Sequence, residues 1–457
     1  MKITKKHIFG LGLSAMLLPL FLSYFPINNA PFEVLKLSNN PKVEEPKFDW
    51  EAFFSDTLVS HDTVIVNSLA QKDKLIATHT ENVEKHLNQK FGLSPLYIRL
   101  RNQLDYSLFG QPHANSVIVG KDGYLYEEQY IKSYYGEDFI GQDSIDTKVE
   151  KLKFIQKELE KQGKLVFVVI APGKGTFYPE FIPEKYKTTQ KTTNYQGYVK
   201  AFKKNNINYI DFNKHFLKLK KQTNNDPVLY PKTGIHWSQY AMYNALDSIL
   251  TYIEKDRNYE LTRFSLIEKE KSTDTRFKDN DIEQGLNLFF ELDHLKMSYP
   301  VFNFDEPKGQ VKPTMLTISD SFYWQMYNLG ISHQIFNEGK FWFYNQTVHP
   351  ESDNGSSFTT NRINLFEELQ KREIVMLMAT EANLHKFSFG FIEEAHETLV
   401  TGIEAYNKRI NEIIEQIKAT PDWYADVQFK AEEKGVTLDE MLLMDAQYVY
   451  RTEIQKK

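Results

Sequence analysis

The sequence predicts an α/β protein built on a doubly wound parallel sheet with helices on both faces, and three observations predict it. Lys164-Leu-Val-Phe-Val-Val-Ile-Ala171 and Glu373-Ile-Val-Met-Leu-Met-Ala379 are continuous apolar runs, as expected of strands buried on both faces. Amphipathic stretches of helical period separate these runs from other short apolar ones, and strands that alternate with helices pair in parallel. Thr314-Met-Leu-Thr-Ile-Ser319 passes through Asp320 and Ser321 directly into an amphipathic segment, the pattern of strand, sharp turn and helix.

Taken in order, residues 1–27 read as a targeting element. Lys2, Lys5 and Lys6 precede an apolar run from Ile8 to Phe25, and no small-x-small cleavage site follows. This favours an uncleaved signal anchor with the lysines inside and the body periplasmic or extracellular; a cleaved signal peptide and a secreted body is the alternative. Residues 28–50, rich in Pro, Asn, Lys and Glu, read as a tether, and 51–112 as a helical lead-in broken at Gly92-Leu-Ser-Pro95. The main domain is expected over 113–386. It opens with a hairpin in which Val117-Ile-Val119 and Tyr124-Leu-Tyr126 flank Gly120-Lys-Asp-Gly123. Helices are expected near 147–161 and 195–204, with strands at 164–171, 207–211, 314–319, 340–344 and 373–379. A polar insertion of about 256–312 interrupts the rhythm and reads as a rim or lid, or as an ordinary excursion. In 387–457 Ala395, Leu399, Ile403, Tyr406, Ile410, Ile413 and Ile417 form one helical stripe, and Thr437-Leu-Asp-Glu440 reads as a capping box. This C-terminal helical appendage is expected to pack or to dock a partner.

Composition narrows the chemistry. A chain of 457 residues with 41% hydrophobic content supports one large domain with additions, or two to three smaller ones. The net charge of -6 argues against a general nucleic-acid binder. With no cysteine there is no disulfide, thiolate nucleophile or cysteine metal site. The 12 histidines show no ligand spacing, so neither a metal nor a cofactor is expected.

Two stretches carry candidate chemistry. Ser321 would be held out at the carboxyl end of a sheet strand, with helix N–H groups aimed at it, which suits a serine nucleophile. Tyr230-Pro-Lys-Thr-Gly-Ile-His-Trp-Ser238 presents His236 just ahead of a helix, which suits a general base if the fold brings it to Ser321. The same residues also fit a plain turn with an N-cap and a packed histidine. Lys174 and Tyr178, after the first buried strand, are candidates to line a substrate cleft. Trp237, Tyr323 and Trp324 are candidates to stack on a substrate, on sugar rings if the resemblance given below holds, and core packing accounts for each aromatic equally well. Glu381 and Asn383 follow the last strand at the same edge.

Together, the Asp-Ser-Phe after a strand, the His-Trp-Ser before a helix, Ala171-Pro-Gly-Lys-Gly-Thr-Phe-Tyr-Pro-Glu-Phe-Ile-Pro183 and Val117-Ile-Val-Gly-Lys-Asp-Gly-Tyr-Leu-Tyr126 resemble the alginate O-acetyltransferase family of the AlgX and AlgJ type. The likeness runs from about Ser116 to about Ala382. His precedes Ser here, as in that family's permuted SGNH hydrolase-like domains. The family's motif has an aspartate two residues before the histidine, where this chain has Gly234. The resemblance implies an extracytoplasmic O-acetyltransferase acting on a cell-surface or exported polysaccharide through an acyl-serine, with a membrane-bound O-acyltransferase as partner. It implies Ser321 and His236 as the catalytic pair and Tyr327 as an oxyanion contact. Asp226 or Glu381 would fill the orienting role left empty at Gly234, or a backbone carbonyl would do so, with Asp320 bracing the turn. A carbohydrate O-acetylesterase, or a non-catalytic glycan-binding scaffold protein, fits the same residues.

Overall fold

The computed structural model describes residues 94–305, 309–350 and 358–455. The expected anchor, tether and most of the helical lead-in therefore lie outside the described residues. Among the described residues no helix is long and apolar enough to cross a membrane. The chain divides into two compact units, one of residues 1–113 with 287–290 and one of 114–286 with 291–457. In the first, helix α1 (Ser94–Phe109) is tied to the 287–290 segment. Arg99 Nε donates to the Leu288 carbonyl at 2.9 Å, and the Phe290 N–H donates to Gln103 Oε1 at 3.0 Å.

The second unit opens with the expected hairpin, β1 (Val117–Val119) against β2 (Leu125–Glu127), followed by α2 (Glu128–Tyr135) and α3 (Gln142–Glu160). The main sheet then begins with β3 (Leu165–Ala171), α4 (Asn194–Asn205), β4 (Tyr209–Asp211), α5 (Phe212–Thr223) and α6 (Gln239–Arg257). The insertion forms a separate antiparallel ribbon, β5 (Phe264–Ser272) with β6 (Met297–Phe304), and the short helix α7 (Asp281–Leu286) lies between them in sequence. The sheet resumes with β7 (Thr314–Ser319), β8 (Asn337–Phe343), β9 (Thr347–His349), β10 (Phe358–Thr359), α8 (Leu365–Lys371) and β11 (Ile374–Thr380).

Strand order is β10-β9-β8-β7-β11-β3-β4. The five strands from β8 to β4 are parallel, as expected, but β9 and β10 are antiparallel, so the sheet is mixed rather than wholly parallel. The difference arises at Tyr344 and Asn345, which both take positive φ (51° and 53°) and reverse the chain in a tight hairpin. Asn345 tolerates positive φ, but without a glycine beside it the turn signal in the sequence is weak.

All seven residues of β3 and of β11 are buried. One sheet face, with Val166, Val168, Ile170, Val375 and Leu377, packs on Ile145, Val149, Leu152, Ile155 and Leu159 of α3 and on Tyr198 and Phe202 of α4. The spacing of the α3 residues places them on one helical stripe. The other face carries α5 and α6, where Phe167 meets Tyr252 at 5.2 Å between ring centroids. Because the central strands run the same way, β3, β4, β7, β8 and β11 all deliver their carboxyl ends to one edge, where open α/β sheets place their sites.

Beyond the sheet, α9 (Phe391–Ala419) is interrupted at Gly402 (φ 75°, ψ 163°). Before that break Phe391, Ile392 and Ala395 join the sheet core. After it Tyr406, Ile410, Ile413 and Ile417 build a second core with α10 (Pro421–Lys434) and α11 (Leu438–Gln455). The capping box is present: the Thr437 N–H donates to Glu440 Oε2 at 2.8 Å, and the Glu440 N–H donates to Thr437 Oγ1 at 3.3 Å.

Leu377 lies at the centre of the sheet, fully buried and paired with Val168 and Ile318. Leu377→Ala should destabilise the fold by roughly 2–5 kcal/mol, through lost burial and a residual cavity. Urea titration of the two proteins measures this, and a loss below about 1 kcal/mol would contradict the packing described.

Candidate active site

The serine is presented by a turn that is braced from beneath. Asp320, fully buried, follows β7, and its carboxylate accepts from the Thr380 N–H (2.8 Å), the Thr380 hydroxyl (3.0 Å), Asn383 Nδ2 (2.8 Å) and the Phe322 N–H (3.2 Å). These bonds pin the end of β7 to the end of β11. Ser321 then begins a 3₁₀ turn, Ser321–Tyr323, with its hydroxyl at the sheet's carboxyl edge.

The histidine loop is held at almost every peptide. The Tyr230 carbonyl accepts from the Tyr178 hydroxyl at 3.1 Å, and the Lys232 carbonyl accepts from the Leu125 N–H of β2 at 3.0 Å. The Thr233 carbonyl accepts from the Glu283 N–H of α7 at 3.2 Å. Ser238 caps α6 by accepting from the Ala241 N–H at 3.1 Å. His236 is thus fixed at its own helix entrance.

Three side chains from three separate segments meet here. His236 Nε2 lies 2.9 Å from Ser321 Oγ, and His236 Nδ1 lies 2.5 Å from Asp281 Oδ2. The other oxygen of Asp281 accepts from the Ile235 N–H at 2.8 Å. The carboxylate thereby holds both the ring and the peptide that carries it. With Nδ1–H donating to the carboxylate, Nε2 keeps a lone pair for the serine proton. A serine, a base and an orienting acid in this order can carry out acyl transfer.

The carboxylate in contact with His236 Nδ1 is Asp281, not Asp226 or Glu381. Asp226 is exposed and paired with Lys271 Nζ at 2.7 and 2.8 Å. Glu381 is buried and accepts from Asn213 Nδ2 at 3.0 Å, and its burial pushes its carboxyl up to about 7. Gly234 stands where it does for reasons of space, since a Cβ there would sit 2.4 Å from the Asp279 carbonyl oxygen. The loop that delivers Asp281 occupies that room.

The candidate substrate contacts are rearranged too. Lys174, Tyr178, Trp237 and Tyr323 are at most 3% exposed, so none offers a surface to substrate. Trp237 packs against Phe216 and Phe322, and Tyr323 against Phe341. Tyr327 lies among Trp324, Phe341 and His349. Trp324 alone of the proposed stacking residues is half-buried, one 3₁₀ turn beyond Ser321 and so on the same face. Two site residues escaped sequence reading. Asp281 sits in a polar insertion with no motif around it. Tyr344, whose phenol senses Ser321 and Asn383 electrostatically, lies at a turn with only a weak turn signature; burial pushes it up to about 12, so it stays protonated at neutral pH.

Residues 117–306 match the family described as the SGNH hydrolase-like domain of the acetyltransferase AlgX. That stretch includes His236 and Asp281 and ends before Ser321. The probable alginate O-acetylase AlgJ of Pseudomonas aeruginosa is 26% identical over 157 residues, which is 34% of this chain and 37% of that protein. Its counterpart in Pseudomonas syringae pv. tomato is 26% identical over 186 residues, 40% of this chain and 43% of that protein. The chain thus spans less than half the length of these relatives. The O-acetyltransferase domain of Pseudomonas putida AlgJ superposes with a TM-score of 0.42 at 12% identity, covering 63% of this chain and 100% of that domain. Over residues 117–306 this chain is thus similar to the SGNH hydrolase-like domain of AlgX, and over a part of its length to the AlgJ proteins.

Proposed function

We propose that this protein is an O-acyltransferase that moves acetyl groups to hydroxyls of a cell-surface or exported polysaccharide through an acyl-serine at Ser321. The observation that carries this reading is the hydrogen-bonded line from Ser321 through His236 to Asp281. A non-catalytic glycan binder has no need of such a line.

In the first half-reaction the Ser321 hydroxyl gives its proton to His236 Nε2 as Oγ attacks the acyl carbon of a donor ester. Asp281 stabilises the imidazolium that forms. The tetrahedral intermediate collapses, the bond to the donor oxygen breaks, and that oxygen leaves with the proton from His236. In the second half an acceptor hydroxyl gives its proton to His236 and attacks the acyl-serine, and Ser321 recovers a proton as it leaves. Charge on the intermediate's oxygen needs donors fixed in advance. The Ser321 N–H and the Tyr344 hydroxyl, with Asn383 behind it, are those donors in this reading. Tyr344 holds a left-handed backbone conformation that a bulky residue adopts only when its surroundings impose it, as at other functional sites.

The acceptor class rests on the relatives, named as probable alginate O-acetylases. The body lies outside the cytoplasm in this reading and receives its acetyl groups from a membrane-bound O-acyltransferase, which fits the lysines and apolar run at residues 1–27.

With a chromogenic acetyl ester and an oligosaccharide acceptor, Ser321→Ala and His236→Ala should each abolish turnover to a similar extent, since members of one unit fail together. Asp281→Asn should lower kcat on the order of 10⁴-fold with the fold intact, because the amide supports the wrong tautomer. Normal rates in Ser321→Ala would exclude the covalent route. Acetylated sugar among the products marks a transferase, and free acetate alone marks an esterase. Gly234→Ala should also lower kcat, by about tenfold or more, because its Cβ displaces the Asp279 carbonyl and with it Asp281. Unchanged kcat in that variant would show that the loop has room to spare.

A further inference from the structure

Lys174 is fully buried, and its ammonium ends on two carbonyl oxygens of the histidine loop, Lys232 O at 2.9 Å and Gly234 O at 2.6 Å. Its Nζ also lies 5.6 Å from the centroid of the Tyr126 ring. Among the described residues no carboxylate forms an ion pair with it. A buried ammonium is costly, and a neutral donor would join two carbonyls at less expense. What the ammonium adds is a positive charge, and the charges that face it are Asp281 on α7 and Glu127 at the end of β2.

The Gly234 carbonyl and the Ile235 N–H belong to one planar peptide unit. Lys174 donates to its oxygen, and Asp281 accepts from its N–H at 2.8 Å. A cation and an anion therefore grip opposite ends of the peptide that immediately precedes His236. Each bond polarises the amide in the sense that strengthens the other.

We propose that Lys174 is a positioning residue for acyl transfer: through the 234–235 peptide it locks the relocated acid Asp281 and the His236 ring into line with Ser321. The proposal rests on the reading of Ser321 and His236 given above. The family resemblance of the sequence implies an acid two residues before the histidine. Here it comes from a distant insertion, and the shared peptide supplies the rigid link between the two. Burial lowers the Lys174 amine to about 7, against the pull of Asp281 and Glu127, so the grip weakens above neutral pH as the charge is lost.

The test is kcat and KM against pH from 6 to 9.5 for the wild type and Lys174→Met, with labelling of Ser321 by an aryl sulfonyl fluoride followed in parallel. Lys174→Met should lose about 10- to 100-fold in kcat with KM changed less than about twofold, as expected for misplacement of a reacting group. Its profile should lack the alkaline limb, starting near pH 7, that the wild type shows. Wild-type kcat and pH profile in Lys174→Met would overturn the proposal while leaving Ser321 as nucleophile. If the variant does not fold, the wild type decides: a decline in Ser321 labelling above neutral pH supports the proposal, and an unbroken rise to pH 9.5 overturns it. Absence of labelling at Ser321 at every pH would instead overturn the acyl-serine reading and this proposal with it.

Discussion

A carboxylate set against Nδ1 of His236 is the interaction on which the site depends. It fixes the tautomer, aims Nε2 at Ser321 and holds the adjoining peptide through the Ile235 N–H. Hydrogen bonds to charged groups are worth about 1.5–3 kcal/mol, enough to favour one ring orientation strongly. The same bond makes the insertion a structural part of the site rather than an ornament on its rim. Asp281 reaches the ring only while α7 stays docked on the histidine loop. That docking is maintained by the Glu283 N–H on the Thr233 carbonyl and by the absence of a Cβ at Gly234.

The insertion is stiffened accordingly. Glu283 accepts from the Leu292 N–H at 2.7 Å and pairs with His294 at 2.6 Å, both side chains being nearly buried. A short helix has little stability of its own, so these contacts must hold it. On the far side of the serine, Asp320 performs the corresponding task by collecting four donors from two segments. A buried carboxylate satisfied by donors in this way rigidifies its surroundings, and here it sets the position of Ser321 relative to Tyr344 and Asn383.

Much of this was legible in the sequence. Continuous apolar runs marked β3 and β11 because strands covered on both faces have no polar side to show. Ser321 and His236 were legible because each sits where a regular element starts, and such junctions carry recognisable residue types. Asp281 was not, because the contact that gives it a role joins positions 45 residues apart, and no local pattern encodes such a contact. Gly234 was read as a missing acid, whereas the structure shows a required space. Lys174 and Tyr178 were read at a strand's carboxyl end and Trp237 and Tyr323 as stacking residues, but the burial of all four depends on neighbours contributed by distant segments. Tyr344 and Asn345 concealed an antiparallel edge, since a tyrosine gives no sign of positive φ and a lone asparagine only a weak one.

The central claim is that acyl groups pass through Ser321. It is tested most directly by rapid quenching of the protein with a donor acetyl ester, digestion and mass spectrometry of the peptide that contains residue 321, with and without an oligosaccharide acceptor. The account predicts an acetyl group on Ser321 within the first turnover that disappears on addition of the acceptor as acetylated sugar forms. Product formation with Ser321 unmodified at every time point, or acetyl carried by a different residue, would contradict it.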